Sequence, residues 1–381
     1  MISTLSNRPR SIVFLGSAHD NGGTSILASG LAEAMRKRGH QVEEWYLFGS
    51  RGDAPAGARI FETGSRSRSP VVLLRLFARL LVALRQRKPD VLFGLQPLSN
   101  VLTGVLGLFA GVRHRVPTYH GPRPWVTPLF VTLDEIVNRL GFYTQMIACA
   151  NSVAQTFDRQ DMTVVVNGHD VPKAFPRNEP RAAFGLPAEG PVLGQIGRLS
   201  HQKNQSFSIE LLQRLPQAHL LLVGIGPDEA ELTAQIAAAG LAERVHIVPA
   251  IAHERIGQFY TAVDLVLFPS RYEGLSLAAI EAIHAGVPPL CSDIPSFREM
   301  FAASPLLTTT LILPASDPSV WLARINKLLR DEDLRRQIAA ELARLSPAYS
   351  FDAMADQYLR LIEQWDAPPQ NAMRKAVPRG V

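Results

Sequence analysis

The sequence predicts an α/β protein built from two doubly wound parallel sheets. Short apolar segments alternate with helical stretches along most of the chain, a pattern typical of parallel strands joined by crossover helices. The chain has 381 residues, more than one hydrophobic core usually organises. Residues 167–180, rich in proline, glycine and asparagine, separate the two halves. We therefore expect two domains with a boundary near residue 180.

In the first half, the predicted strands are short apolar runs, and the predicted helices repeat apolar residues every three or four positions. We predict strands at residues 11–16, 41–47, 91–95, 115–119, 146–149 and 163–166, and helices at residues 24–37, 71–87, 101–110, 127–140 and 152–159. This alternation predicts a parallel sheet covered by helices on both faces.

The second half repeats the pattern. We predict strands at residues 192–196, 219–223, 245–248, 265–268 and 289–292, and helices at residues 207–215 and 351–365. Another helix is expected from Leu277 to Gly286, because glycine followed by proline commonly ends a helix. The tail, residues 367–381, has the composition of a disordered segment.

Two glutamates eight positions apart, Glu273 and Glu281, mark the most informative segment. Inside one helix they would lie roughly 12 Å apart along the axis, so we place Glu273 on the preceding turn and Glu281 in the second helical turn. Backbone N–H groups at such a helix N-terminus form a ready site for phosphate. Two carboxylates beside it can hold hydroxyl groups of a sugar and a ribose. The alternative is one solvated glutamate and one glutamate on the surface of a helix.

Two permanent cations, Arg198 and Lys203, follow the strand predicted at residues 192–196. Charge builds up on a diphosphate leaving group as a glycosidic bond breaks, and positive side chains stabilise that charge. An isolated pair of this kind is more often an ordinary surface feature. Strand–helix units connect this pair to the Glu273 turn some 75 residues after Arg198, which favours the functional interpretation.

The two motifs together resemble the E-x7-E signature and the Gly-Arg…Lys pair of retaining glycosyltransferases with the GT-B fold, specifically the GT4-type (glycosyltransferase group 1) family. The resemblance implies two Rossmann-like domains facing each other across a cleft. Residues 1–180 would form the acceptor side, residues 181–345 would bind the nucleotide sugar, and residues 346–366 would cross back to the first domain.

The resemblance also implies roles for the motif residues. Arg198 and Lys203 would contact the donor diphosphate. Glu273 would hold sugar hydroxyls or the developing charge, and Glu281 would bind the ribose. His120, at the end of a predicted strand, would lie near the sugar, although a lone histidine there is usually structural.

Further donor contacts are implied at loops where backbone can approach a ligand closely. Gly274 and Leu275 would present N–H groups to the phosphate. His19 and Asp20 are weaker candidates for acceptor contacts. The donor-binding residues expected on this basis, besides Glu281, are Gly23, Gly197, Gly224, Gly226, Gly274, Leu275 and Ser276.

Gly224 and Gly226 would also fit a dinucleotide-binding enzyme. The third glycine of that fingerprint is missing, because Glu229 stands there, and no acidic residue ends a second strand about 20 residues on. Ala250 stands where the resembling family commonly has a glycine in its base-binding loop, which leaves the nucleotide base open.

Charge is shared unevenly between the two halves. Residues 1–180 carry 21 Lys and Arg against 13 Asp and Glu, and residues 181–381 carry 18 against 21. Much of the excess lies in residues 65–88, which hold seven cations and no acid. A helix there would present Leu73, Phe77, Leu80 and Leu84 on one face, with Arg75 and Arg79 opposite.

Such a helix either lies on an anionic membrane surface or covers the sheet as an ordinary crossover helix. Nucleic acid is not an expected partner, because the cations lack a recognised motif and an interleaved aromatic platform.

Cys149 and Cys291 are expected to be buried free thiols. The polar start of the chain and the lack of an 18-residue apolar run predict a cytoplasmic protein, at most peripheral on the inner face of the membrane.

The resemblance therefore implies a retaining hexosyltransferase without cofactor. It would move a sugar from a nucleotide diphosphate sugar to a glycan, lipid-linked or small-molecule acceptor, in cell-surface polysaccharide or glycoconjugate biosynthesis. The Asp-x-Asp metal motif of the other large glycosyltransferase fold is not apparent, and the two cations can replace a metal, so metal independence is expected. A nucleotide-sugar epimerase or hydrolase on the same fold is the alternative, and a non-catalytic partner in a polysaccharide assembly complex is a third.

Overall fold

The structure of the chain, a computed structural model, describes residues 8–18, 23–49, 57–63, 69–157, 159, 161–315 and 317–367. Its framework is a pair of parallel sheets, one in each half of the chain. His19, Asp20, residues 65–68 of the basic segment and the tail from residue 368 lie outside the described residues.

The first half alternates strands and helices as predicted. Its strands are β1 (Ser11–Ala18), β2 (Gln41–Gly49), β3 (Arg59–Thr63), β4 (Val91–Gly94), β5 (His114–Tyr119), β6 (Met146–Ala148) and β7 (Met162–Val164). Its helices are α1 (Gly23–Lys37), α2 (Pro70–Arg87), α3 (Pro97–Phe109), α4 (Pro128–Arg139) and α5 (Asn151–Ala154). Within the described residues the strands form one seven-stranded sheet in the order β3-β2-β1-β4-β5-β6-β7.

The second half forms another parallel sheet. Its strands are β8 (Val192–Ile196), β9 (His219–Val223), β10 (Val245–Val248), β11 (Leu265–Phe268), β12 (Pro289–Ser292) and β13 (Ile312–Leu313). Its helices are α6 (Asn178–Ala183), α7 (Gln205–Gln213), α8 (Glu229–Ala238), α9 (Ile256–Ala262), α10 (Leu277–Ala285), α11 (Pro295–Phe301), α12 (Pro305–Leu311), α13 (Pro318–Arg330), α14 (Glu332–Leu345) and α15 (Phe351–Asp366). In the described part of the chain the strand order is β10-β9-β8-β11-β12-β13.

The central strands are apolar because helices cover both faces of each sheet. Every side chain of β11 is at most 1% exposed, and burying an apolar side chain of this size contributes about 1.5–3 kcal/mol. The continuous apolar run is what made this strand predictable. The bounds predicted for β8, β9, β10, β11 and β12 are all confirmed.

No bounds were predicted for α6, α8, α9, α11, α12, α13 and α14. Three further differences from the sequence prediction concern β3, β13 and α5. β3 was not predicted, because this edge strand has only two apolar residues, Ile60 and Phe61, and so lacks a longer apolar run. β13 has only two residues, too few to give a pattern. The helix predicted at residues 152–159 is wrong in extent, since α5 covers only Asn151–Ala154.

α15 returns from the second half to pack on the first sheet. Its first residue, Phe351, packs directly on Gly30 of α1. A methyl group added to Gly30 would lie only 2.1 Å from the Phe351 ring. Arg38, the residue after α1, binds Asp352 and Asp356 of α15, each at 2.8 Å. The chain therefore crosses between the two halves twice, once through residues 165–177 and once through α15. None of the helices in the described residues is long and apolar enough to span a membrane.

Candidate functional site

The ends of two neighbouring strands bring Lys203 and Glu273 together. β8 and β11 are adjacent and parallel, so the loops that follow them leave the same edge of the sheet. The Nζ atom of Lys203 lies 2.6 Å from Oε1 of Glu273, and the two side chains are only 16% and 6% exposed. The Gln202 amide lies 3.4 Å from the second oxygen of the same carboxylate. The two predicted site residues thus form one shielded ion pair at the carboxyl edge of the second sheet.

Arg198 lies in the loop after β8 with an exposed side chain. Its carbonyl oxygen accepts a hydrogen bond from Nε2 of Gln205 at 2.9 Å, which ties the loop to the first residue of α7. Among the residues that the structure describes, the Arg198 guanidinium has no ion-pair or hydrogen-bond partner. The site therefore holds one paired and one unpaired permanent cation.

Three glycines shape the two loops that leave β8 and β9. Gly197 has φ +136° and Gly224 has φ +150°, a region that side chains rarely adopt. A methyl group on Gly224 would lie 2.0 Å from the carbonyl oxygen of Gly197, and one on Gly226 would lie 2.0 Å from that of Leu199. The loops therefore pack backbone against backbone. This packing explains why positions 224 and 226 are glycine, and it fixes the loop that carries Arg198 and Lys203.

The first sheet faces this edge across a narrow cleft. A methyl group on Gly274 would lie 2.2 Å from the carbonyl oxygen of His120. One on Gly23, the first residue of α1, would lie 3.0 Å from Cδ1 of Leu277, the first residue of α10. The amino ends of two helices thus meet across the cleft. Each carries a partial positive charge and backbone N–H groups without intrahelical partners, which favours an anion between them.

His120 directly follows β5 on the first-sheet side of the cleft. Its Nε2 lies 2.9 Å from Oγ1 of Thr118, and its Nδ1 is buried without a hydrogen-bond partner among the described residues. Burial lowers the pKa of His120 to about 4, while the nearby Asn167 side chain acts in the opposite direction. The ring is therefore neutral at pH 7 and can exchange a hydrogen bond with a ligand hydroxyl.

Ser276 and Leu275 lie between Glu273 and α10. Ser276 is the residue before α10, and its buried hydroxyl makes no hydrogen bond with any described residue. The backbone of Leu275 lies beside the Cys149 thiol of the first half and lowers the pKa of that thiol, against the effect of burial. Cys149 and Cys291 are both buried free thiols, as predicted, and burial raises the pKa of Cys149 to about 12.

Glu281 lies in the second turn of α10, and its carboxyl group is engaged inside the protein. The Tyr260 hydroxyl lies 2.8 Å from its Oε2, and Nε2 of His169 lies 3.2 Å from its Oε1. Only 4% of Glu281 is exposed, and burial raises its pKa to about 7 although the Tyr260 hydrogen bond opposes the shift. Both carboxyl oxygens of Glu281 therefore lie against groups of the protein itself.

Several residues of the site carry no sequence signal. The Trp125 and Tyr272 rings meet across the cleft with centroids 4.9 Å apart. The Glu299 carboxylate accepts hydrogen bonds from the backbone N–H groups of Asn151 and Ser152 at 2.7 and 2.9 Å, which joins α11 to the amino end of α5. These pairs come from different halves of the chain, so only the packing of the two sheets reveals them.

Residues 70–87 of the basic segment form α2, which covers the first sheet. Leu76, Leu80 and Leu84 are fully buried, so the crossover alternative describes this face correctly. The opposite face is not purely basic, as Val71, Leu74 and Val82 are 56%, 71% and 52% exposed. They lie among the exposed Arg75, Arg79 and Arg85. We call these six residues the outer face of α2.

The facing edges of the two parallel sheets carry helix amino ends, glycine loops and a charged pair. This arrangement is typical of α/β enzymes that bind nucleotides at the carboxyl ends of their strands. Sequence comparison narrows this class. The family described as "Glycosyl transferases group 1" matches residues 176–344, and "Glycosyltransferase Family 4" matches residues 21–173. Together the two matches span most of the chain. The chain belongs to the GT4-type (group 1) glycosyltransferases, and its two sheets form the GT-B fold.

Individual relatives agree with this assignment. The chain is 33% identical to a 2-deoxystreptamine glucosyltransferase of Streptomyces kanamyceticus over 158 residues, 37% of the chain but only 41% of that relative. It is 25% identical to the D-inositol 3-phosphate glycosyltransferase of Mycolicibacterium smegmatis over 398 aligned positions, 94% of the chain and 91% of that relative. Among solved structures, HepE of Anabaena, solved in complex with UDP and glucose, superposes on the chain with a TM-score of 0.80 at 20% sequence identity. The superposition covers 93% of this chain and 100% of HepE.

Proposed function

We propose that the chain is a retaining, metal-independent hexosyltransferase that uses a nucleotide diphosphate sugar. The observation that carries the proposal is the Lys203–Glu273 ion pair at 2.6 Å, at an edge that faces the amino ends of α1 and α10. Cations and helix amino ends favour a diphosphate, and a carboxylate beside them suits sugar hydroxyls. The solved structure of HepE with UDP and glucose supports a donor of this kind.

In the proposed reaction, the bond between the anomeric carbon and the diphosphate oxygen breaks. Lys203 and Arg198 stabilise the negative charge that develops on the leaving diphosphate, which is worth most in a site shielded from water. The acceptor oxygen forms the new bond to the anomeric carbon and gives its proton to the departing diphosphate oxygen, with the anomeric configuration retained. Because the two side chains supply the positive charge, the leaving group needs no metal ion.

The remaining residues are proposed to position the donor. Glu273 holds sugar hydroxyls or the developing charge, and neutral His120 exchanges a hydrogen bond with the sugar from the opposite side. Glu281 binds the ribose once it has left His169. The N–H groups of Gly274, Leu275 and Ser276 approach the phosphate, Leu275 only after its contact with Cys149 has opened, and Gly23 approaches it from the other half.

We further propose the domain roles that follow from this reaction. Residues 1–180 bind the acceptor, residues 181–345 bind the donor, and residues 346–366 connect the two. The acceptor is a glycan, a lipid-linked sugar or a small molecule of cell-surface polysaccharide or glycoconjugate biosynthesis. A lipid-linked acceptor would suit the outer face of α2, where apolar and cationic side chains alternate as on proteins that bind anionic membranes.

A nucleotide-sugar epimerase or hydrolase on the same fold is the second candidate. It would use the same donor contacts and differ only in needing no acceptor. A silent partner in a polysaccharide assembly complex is less well supported, because Arg198, Lys203, Glu273 and Glu281 are all present.

The proposal is tested by thermal-shift screening with UDP-, GDP-, ADP- and dTDP-sugars. A donor that binds the folded state increases the free energy of unfolding by mass action, by about 2.7 kcal/mol at 100 times its Kd, and so raises the melting temperature. The stabilising donor is then incubated with the protein alone. An altered or hydrolysed sugar without acceptor would indicate the epimerase or hydrolase, and stabilisation by none of the four donor classes would contradict the proposed function.

A further inference from the structure

Three side chains from separate segments converge beside the connection between the two halves. His169 lies in that connection, His253 follows β10, and Glu281 lies on α10. One potential ligand atom of each lies within 4.8 Å of the other two. His169 and Glu281 are 2% and 4% exposed, whereas His253 is partly exposed and gives solvent a way in.

The proton on His169 can be assigned from its neighbours. Its Nδ1 lies 3.2 Å from the carbonyl oxygen of Asp170, which can only accept, so Nδ1 carries the hydrogen. Nε2 is then left with a lone pair. It lies 3.2 Å from Oε1 of Glu281, yet it has no partner with hydrogen-bond geometry among the described residues.

A lone pair and a carboxylate oxygen repel at this separation unless something positive lies between them. A proton on Glu281 would relieve that one contact. It would leave His253 unsatisfied, because the buried Nδ1 of His253 also has no hydrogen-bond partner within the described part of the chain. A divalent cation can satisfy all three groups at once.

The ligand set and its surroundings fit zinc. Two imidazole nitrogens and one carboxylate oxygen form a common three-ligand set for Zn²⁺, with bonds of about 2.0–2.2 Å. Tetrahedral ligands at that bond length lie about 3.3 Å apart, close to the 3.2 Å between His169 and Glu281. The Asp170 carbonyl orients His169 and the Tyr260 hydroxyl lies 2.8 Å from Oε2 of Glu281, as outer-shell groups do around bound metals.

We propose that His169, His253 and Glu281 form a Zn²⁺ site that competes with the donor for Glu281. The competition rests on the proposed function, in which Glu281 binds the ribose. Zinc would hold the carboxyl group against His169 and keep it from the donor. The ion is therefore an inhibitor at this site, and turnover itself stays independent of metal.

The site is tested by titrating Zn²⁺ into chelator-treated protein against a chromophoric zinc indicator. We expect one ion per chain, and a loss of affinity of about 10-fold or more in His169→Ala and in His253→Ala. His246→Ala is the matched control, since His246 pairs with His219 at 3.1 Å on the same sheet and should not contribute. Thermal unfolding in EDTA identifies any variant that has failed to fold, and His253→Gln then replaces it.

Cobalt adds a spectroscopic test of the ligands. Co²⁺ in the wild type should show the visible absorption of four-coordinate cobalt, and His169→Ala should lose it. No bound zinc, or zinc bound equally well by His169→Ala and His253→Ala, would overturn the site.

A nucleoside diphosphate should displace Co²⁺ from the wild type more effectively than pyrophosphate, which chelates the ion in solution but lacks a ribose. Equal displacement would overturn the competition. The thermal-shift screen is run without metal, so a failure of donor binding there refutes the proposed function and leaves the zinc titration unaffected.

Discussion

The Nζ atom of Lys203 lies 2.6 Å from Oε1 of Glu273, although 70 residues separate them. The pairing follows from topology, because β8 and β11 are neighbours in the sheet and not in the sequence. It holds a cation and a carboxylate at fixed positions, close to where the first half approaches at Gly274. Their roles in donor chemistry are a proposal.

Replacing Glu281 by alanine should weaken binding of the nucleoside diphosphate. A hydrogen bond to a charged group contributes about 1.5–3 kcal/mol, so we expect Kd to rise about tenfold or more. Calorimetric titration in EDTA measures this. Tyr260→Phe removes a hydroxyl 2.8 Å from Glu281 but keeps the carboxylate, and should have a smaller effect. Unchanged affinity in Glu281→Ala would remove Glu281 from the ribose site.

Gly274→Ala should impair turnover by moving the two halves apart. The new methyl group would lie 2.2 Å from the backbone oxygen of His120, which cannot swing away as a side chain can. A displacement of about 1 Å at a reacting site can cost on the order of 100-fold, so we expect kcat/KM to fall by at least tenfold.

Gly107→Ala is the control for Gly274→Ala. Gly107 lies in α3, away from the cleft. A methyl group added there would have side-chain atoms of Arg115 as its nearest neighbours, at 3.2 Å. Equal turnover in both variants would show that close approach at Gly274 is not needed for the reaction.

The neutral state of His120 predicts a dependence of stability on pH. Its pKa is lowered to about 4 in the folded protein, so between pH 6.5 and 4 the unfolded chain binds a proton that the folded chain does not. Stability from this group is therefore present above pH 6.5 and lost as pH falls toward 4, by on the order of 1–3 kcal/mol.

His120→Gln cannot titrate and should show a smaller loss of stability between pH 7 and pH 5. Urea unfolding at the two pH values measures the difference, and the buried histidines common to both proteins cancel. An identical pH dependence in the two proteins would mean that His120 is not held neutral by burial.

The outer face of α2 predicts binding to anionic vesicles. Each basic residue near such a surface contributes about 1 kcal/mol, and the exposed Leu74 can insert between headgroups. Flotation should occur with anionic but not neutral liposomes and fade in 1 M salt, where screening acts within roughly 3 Å. Arg75→Glu with Arg79→Glu should abolish flotation, and Leu74→Ser should weaken it.

The matched control reverses the same number of charges on the other half, at the exposed Lys327 and Arg330 of α13. That double variant should still float. Failure of the wild type to float on anionic vesicles, or loss of flotation in the α13 variant, would contradict a specific role for α2.

The sequence predicted the strands with continuous apolar runs and the residues at their carboxyl ends, because both follow from local pattern. Lys203 and Glu273 were found in this way. His169 and Tyr260 were not, since their contacts with Glu281 depend on how the interdomain connection and α9 pack against α10. The exposed Val71, Leu74 and Val82 were missed because α2 is apolar on both faces, and the sequence alone did not show which face meets the sheet.

The central claim is that side-chain cations, and not a metal, stabilise the departing diphosphate. The most direct test measures release of the nucleoside diphosphate from the stabilising donor, in EDTA, by wild type, Lys203→Ala and Arg198→Ala. We expect full turnover by the wild type and a loss of about 100-fold or more in kcat for each variant, comparable to losing one preorganised charge-stabilising donor. Turnover that EDTA abolishes and Mg²⁺ or Mn²⁺ restores, or variants that retain wild-type kcat, would contradict the claim.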